Sequence, residues 1–254
     1  MKITLLTQDE PFYLAENIDY LANNLPDDVE IVSAVLFNAS PFGKKETFYQ
    51  KAKKTLSIFG LKFFVFYSFR FLIRKLQPGK KVPRILKKNN ITEIRLEKSI
   101  NHRDSLDKIK SYDPDLLISI AGNQIFKSQL INLAPKGCLN LHTALLPKYR
   151  GLMPSFWVMK NNEVKTGVSV FFVDEGIDSG PILVQKEMAI GNRTQEQLIK
   201  DSKQLGMDAI IEAIKKIKHG DYKLIPNIDA EKTYFSFPTK EDVRDFKLKG
   251  KRFF

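Results

Sequence analysis

The constraint that acts first on this chain is the alternation at its start. Lys2–Thr7 and Glu30–Phe37 are short apolar runs, the second rich in β-branched residues, and Pro11–Asn24 between them has helical character. Two buried strands joined through a helix make a crossover unit, which predicts a parallel sheet. The turn after the first run, TQDEPF, has none of the glycines of a dinucleotide fingerprint or a phosphate loop. Those two nucleotide-binding classes therefore drop away.

The alternation resumes after Pro83. Arg84–Asn90 reads as a helix end, Thr92–Leu96 as a strand, Asn101–Tyr112 as a helix, Leu116–Ala121 as a buried strand and Ser128–Leu133 as a short helix. His102, near a helix start, reads as an ordinary surface residue. Cys138–His142 is the next strand, Met153–Lys160 a helix, Gly167–Val173 a strand and Pro181–Ile190 a further strand or hairpin arm. Thr194 and Gln197 form a capping box for a long helix ending near His219, with Gly220 at the position after it. The expected fold is α/β, a doubly wound and mostly parallel sheet with helices on both faces. Residues 1–220 make one domain and 221–254 a short C-terminal tail with a basic end.

Composition narrows the class. A hydrophobic content of 43% is globular, and no uncharged apolar run approaches the ~20 residues of a membrane-spanning helix. The N-terminus reaches Asp9 and Glu10 too soon for a secretory signal. The single cysteine, Cys138, excludes an internal disulfide framework and a cysteine-cluster zinc site, and reads as a small buried hydrophobe. The expectation is a cytoplasmic enzyme without a metal.

Residues 44–89 stand apart. They hold fourteen Lys and Arg against one acid, Glu46, for a net +13 where the whole chain carries +12. Inside lies LSIFGLKFFVFYSFRFLIRKL, an aromatic and apolar run interrupted by Lys62 and Arg70. Three readings stay open: a helical insertion packed on the sheet, a helix on an anionic membrane surface, or a nucleic-acid site without a known motif. An aromatic helix left exposed would also favour a homodimer. The protein would then be cytoplasmic but peripheral at the inner membrane surface.

The chemistry concentrates in GCLNLHTALLPKYRG, residues 137–151. Period two puts Asn140 and His142 on one face of the strand and Leu139 and Leu141 on the other. Two polar groups on an apolar strand are either satisfied core residues or a functional pair, since burial without partners costs a few kcal/mol. Pro147, Lys148 and Arg150 follow at once, and strand ends leading into such loops are where open α/β sheets place ligands. The loop DEGIDSG adds Asp174, Glu175 and Asp178. A carboxylate folded back beside His142 would orient it for proton transfer, and the Asn140 amide is suited to a developing oxyanion. With no nucleophilic Ser or Cys beside a base, the pattern suggests direct acyl transfer or hydrolysis.

Asn140-Leu141-His142, the following ALLPKYRG and Asp178 in GIDSG resemble the signature of the formyltransferases that use 10-formyltetrahydrofolate. The likeness is clear over residues 115–190 and looser elsewhere. It implies Asn140, His142 and Asp178 as the catalytic trio. It also implies a folate pocket along Gly122, Asn123, Gln124, Ile125 and Phe126 and along Val173, Asp174 and Glu175, contacted largely through backbone. Lys148 and Arg150 are then candidate contacts to an anionic small-molecule amine. An amino sugar carried on a nucleotide or lipid is the expected acceptor, and methionyl-tRNA the alternative, less favoured because only some thirty residues follow Gly220. A glycinamide ribonucleotide is demoted by the missing glycine-rich loop. A non-catalytic folate- or membrane-binding module is the reading from another class.

Overall fold

The computed structural model describes residues 1–37 and 47–254, so that Lys44–Glu46 at the head of the basic window lie outside it. In chain order the elements are β1 (Lys2–Gln8), α1 (Leu14–Asn23), β2 (Glu30–Phe37), α2 (Phe48–Phe59), α3 (Leu61–Lys75), α4 (Val82–Lys88), β3 (Thr92–Ile94), α5 (Arg103–Lys110) and β4 (Leu116–Ile120). They continue with α6 (Ser128–Ile131), β5 (Cys138–His142), β6 (Arg150–Gly151), α7 (Pro154–Lys160), β7 (Lys165–Phe172), β8 (Ile182–Ala189), α8 (Gln195–His219), β9 (Tyr234–Phe235) and α9 (Lys240–Leu248).

Seven strands form one sheet in the order β3-β2-β1-β4-β5-β7-β8. The first five are mutually parallel, and β7 and β8 close the edge antiparallel. The doubly wound α/β expectation therefore holds. β1, β2 and β4 are buried along most of their length, as expected where helices cover both faces. Leu139 and Leu141 join the core with residues of α1, α4 and α8, whereas Cys138 joins the core with residues of α5 and α6. The period-two reading of β5 is thus visible as two separate cores. At Gly206 in α8 a Cβ would meet Leu141 Cδ2 at 2.6 Å, so a larger residue there would have to push that side chain aside.

The long helix ends as its sequence predicts. Thr194 Oγ1 accepts from the Gln197 backbone, the Gln197 side chain accepts from the Thr194 backbone, and Gly220 closes the helix at φ 71°. His102 caps α5, its Nδ1 accepting from the Asp104 N–H at 3.2 Å, while staying on the surface.

The aromatic window differs from a single helix on the sheet. Gly60, at φ 84°, ends α2 and starts α3, folding the window into a hairpin. Its apolar anchor is not the sheet but a third core made with the tail. Phe59 meets Phe253 and Phe63, and Phe156 of α7 stacks on Phe246 of α9 with centroids 4.9 Å apart. Residues 221–254 supply β9, which pairs with β6, and α9, capped by Thr239 and Asp242.

Phe246 is fully buried at the centre of this third core. Replacing it with alanine removes a large aromatic from a packed site, an effect of about 3–5 kcal/mol. Equilibrium urea unfolding of Phe246→Ala checks this, and an unchanged midpoint would mean that the tail docks without supporting the domain.

Candidate active site

β5 ends at His142 on the carboxyl edge of the parallel strands, where doubly wound sheets bind ligands. His142 is almost wholly buried, and a buried imidazole needs partners for its nitrogens. Nε2 lies 2.7 Å from the Tyr149 carbonyl oxygen. A carbonyl only accepts, so Nε2 carries the hydrogen and Nδ1 is the nitrogen turned to Asp178, 3.6 Å from its Oδ2. The same Oδ2 accepts the Gly151 N–H at 2.9 Å. Asn140 shares this face and is half-buried. Among the described residues its side chain makes no hydrogen bond, which leaves a polarised N–H donor beside an imidazole and a carboxylate.

The loop from Tyr149 to Gly151 is held from three sides. Ser169, fully buried on β7, accepts the Leu146 N–H at 3.0 Å and donates to the Ala144 carbonyl at 2.8 Å. Gln185 on β8 donates to the Leu146 carbonyl at 2.9 Å. The Tyr149 N–H donates to Thr233 Oγ1 at 2.8 Å, and its hydroxyl donates to Glu163 at 2.6 Å. Burial, and then that Glu163 bond, pushes the Tyr149 phenol up to about 12. Gly151 sits at φ 93°, and a Cβ there would meet the Phe235 carbonyl oxygen at 2.3 Å.

Asp178 reaches His142 by an indirect path. β7 runs antiparallel to β5, so the chain leaves it beside the start of β5, where the Val173 N–H donates to the Cys138 carbonyl at 2.8 Å. The loop then returns along the Asn140 face, a climb of about 13 Å for four residues of strand. Asp174 tightens the turn by accepting from the Gly176 N–H and the Ser179 hydroxyl at 3.0 and 2.6 Å. Asn227 from the tail fixes the far end, donating to the Asp178 and Gly180 carbonyls at 2.9 Å each. Val173, Asp174 and Glu175 thus begin the loop at the end of β7, with Val173 held to Cys138 of β5.

Gly122, Asn123, Gln124, Ile125 and Phe126 follow β4 on the same side, since Phe126 packs in the core that holds Cys138. Asn101 braces this segment by donating to the Ile125 carbonyl and accepting from the Lys127 N–H. Ile125 is left exposed at the rim.

The two basic candidates part company. Lys148 is exposed. Arg150 is buried, with its guanidinium 2.8 Å from Asp229 and donating to Asn227 Oδ1 at 2.9 Å. Its charge is engaged by the tail rather than offered freely. A cavity of about 340 Å³ opens beside this pair, lined by Arg150, Ile177, Ser179, Asp229, Lys232 and Tyr234. The tail's share of the site, Asn227, Asp229, Lys232 and Thr233, carries no local sequence signal. Tyr149 shows one only as the residue before the basic Arg150-Gly151 step.

After β1, where a phosphate-binding loop would stand, Glu10 turns its carboxylate onto the Phe12, Tyr13 and Leu14 N–H groups at 2.8, 2.9 and 3.3 Å. The start of α1 is thus occupied by the chain's own anion. Cys138 is buried, and burial alone pushes its thiol up to about 12, so it supplies no thiolate.

Two outcomes follow. Asn227→Ala removes the brace of the Asp178 loop, costing about 1–3 kcal/mol in unfolding free energy and exposing the Gly151 amide to faster hydrogen exchange. An unchanged Gly151 exchange rate would show that the loop holds itself. Cys138 should stay unmodified by an aromatic disulfide reagent until denaturant is added, and rapid labelling of the native protein would contradict its burial.

The sequence profile of the formyl transferase family matches residues 68–214. Methionyl-tRNA formyltransferase of Kosmotoga olearia is 39% identical over 147 residues, covering 58% of this chain and 47% of its own. The chain spans about half the length of the curated relatives it matches. Among solved structures, phosphoribosylglycinamide formyltransferase of Anaplasma phagocytophilum superimposes with a TM-score of 0.63 at 16% identity, over 94% of this chain and 99% of that one. The N-formyltransferase of Helicobacter canadensis, solved with folinic acid and dTDP-3-aminofucose, gives 0.56 at 20% identity over 93% and 71%. These two show the fold. The profile match, which covers more than half of the sequence, places this chain in the formyl transferase family.

Proposed function

We propose that this protein transfers a formyl group from 10-formyltetrahydrofolate to a primary amine. The observation that carries the reading is the convergence of an uncommitted Asn140 amide, the His142 ring and the Asp178 carboxylate on one strand face. The folate supplies the formyl group. The segments 122–126 and 173–175, which follow β4 and β7 on the Asn140 side of the sheet, are the proposed place for its heteroaromatic ring.

The chemistry of the residues follows from their atoms. A neutral amine attacks the formyl carbon, and the carbonyl oxygen takes up negative charge as the new C–N bond forms. Asn140 Nδ2 donates to that oxygen. His142 acts through Nδ1, because Nε2 is committed to Tyr149. When Nδ1 holds a proton it donates to the oxyanion, with Asp178 as its counter-charge. Asp178, directly or through water, takes the amine proton and returns it to the donor nitrogen, whose C–N bond breaks as the oxyanion collapses back to a carbonyl.

For the acceptor, an amino sugar on an anionic carrier is the favoured reading. The cavity beside the Asp178 loop has room for a small molecule, Lys232 offers a cation at its wall, and Tyr234 offers a ring. Glu10 at the start of α1 weighs against a phosphate held there. Methionyl-tRNA is the second reading, supported by the 39% identity to a methionyl-tRNA formyltransferase.

Release of tetrahydrofolate, followed by absorbance with amino-sugar nucleotides, initiator methionyl-tRNA and glycinamide ribonucleotide in turn, tests both. Turnover on an amino sugar supports the first reading, and turnover on the tRNA alone replaces it with the second. Asn140→Ala should lower kcat by roughly 10²–10³ and Asp178→Asn by roughly 10²–10⁴, with folding retained. A folded Asp178→Asn variant with unchanged turnover would defeat the assignment.

A further inference from the structure

α3 is amphipathic in the reverse sense. The residues it turns toward the protein include its arginines: Arg70 pairs with Glu196 on α8, and Arg74 lies 3.5 Å from Glu16 on α1. Phe63 and Tyr67 share that inward side, Phe63 against Phe253 and Tyr67 against Phe12. Outward, Leu61, Val65, Phe69, Leu72 and Leu76 recur at helical spacing and are 68, 58, 61, 58 and 81% exposed. Five large apolar side chains in one stripe make a continuous patch, not the scattered exposure normal on a surface.

The charge around the stripe says what covers it. Between Thr47 and Asn89 there are basic residues and no acid. Lys62 flanks the stripe on α3, and Lys53 lies on the exposed arc of α2 between Tyr49 and Leu56. Neither makes an ion pair among the described residues. Self-pairing through this face would set two such windows against each other, with like charges at close range and no acid to relieve them. A surface that is apolar below and anionic above meets both needs at once. None of the described helices is long and apolar enough to cross a bilayer.

We propose that the α2–α3 hairpin docks this protein on anionic lipid, lying in the interface with the Leu61–Leu76 stripe at the acyl boundary and Lys53 and Lys62 among the headgroups. The inference is independent of the formyl-transfer reading, since docking is read without substrate. Phe12, in the turn after β1, packs on Tyr67 with centroids 5.2 Å apart, so the docked hairpin stands over the carboxyl edge of the sheet.

The test is co-sedimentation of the full chain with vesicles of phosphatidylcholine alone and of phosphatidylcholine mixed with phosphatidylglycerol, alongside sedimentation-velocity analysis without lipid. Binding to the mixed vesicles only, weakening as salt rises, is the expected result. Lys53→Glu with Lys62→Glu should lower the partition roughly tenfold or more. Phe69→Ser with Leu72→Ser, which touches only exposed positions, should abolish binding at every salt concentration while leaving the unfolding midpoint unchanged. A monomer that ignores anionic vesicles overturns the proposal. So does a dimer that falls apart in the Phe69→Ser, Leu72→Ser variant and binds no lipid, because the occupant is then a second copy. Binding that survives both pairs of substitutions would also overturn it.

Discussion

The hydrogen bond from His142 Nε2 to the Tyr149 carbonyl is the interaction on which the site depends. Asp178 alone would not fix the ring, because a 3.6 Å separation leaves it free to turn. The carbonyl at 2.7 Å removes that freedom by occupying one nitrogen, and so decides which nitrogen faces the carboxylate. That carbonyl is itself placed by a left-handed residue, since Tyr149 has φ 59°. A bulky residue tolerates such a conformation only where the surroundings over-determine it. Here they do, through Thr233 at its N–H, Glu163 at its hydroxyl and Phe235 stacked on its ring at 5.3 Å.

The consequence is that the end of the chain holds the site together. Asn227 ties Asp178 to Arg150, and Arg150 reaches Asp229, so one small polar network sets both the loop that carries the carboxylate and the strand that carries its N–H donor. Burying an arginine this deeply costs several kcal/mol unless its donors are met. Asp229 and Asn227 meet part of that need, while Arg150 Nε is buried with no hydrogen-bond partner among the described residues. Lys232 stands in the same cavity wall and pairs with the same carboxylate, at 2.6 Å, so an incoming anion would compete with Asp229 for either cation.

Local periodicity carried the sheet and half of the site into the sequence. The two sides of β5 follow from a period of two. The capping box at Thr194 and the stop at Gly220 follow from the needs of helix ends. What was not legible depends on long-range contact. Nothing near Asn227 announces that it will brace a loop 49 residues earlier, and nothing near Ser169 shows that it will pin the turn after His142. Asp178 could be named as a carboxylate, but its path back along β5 is set by the antiparallel reversal at β7. That reversal makes β7 antiparallel to both of its neighbours, β5 and β8.

The hairpin shows the same limit from the other side. Hydropathy along α3 does not say which of its faces turns inward, because Phe63, Phe64, Phe66, Phe69 and Phe71 spread apolar surface around the whole helix, while Arg70 and Arg74 share one side. The decision lies in the partners. Glu16 on α1 and Glu196 at the start of α8 stand where α3 crosses, and two acids facing one helix draw its arginines in. A charge brought in this way needs its counter-ion to stay, or the burial cost is left uncompensated. Once Arg70 and Arg74 are committed, rotation is fixed, and the five apolar residues about half a turn away have only the outside left to them. The exposed stripe is thus imposed by two acidic residues that lie outside the window, one before it and one more than a hundred residues after it.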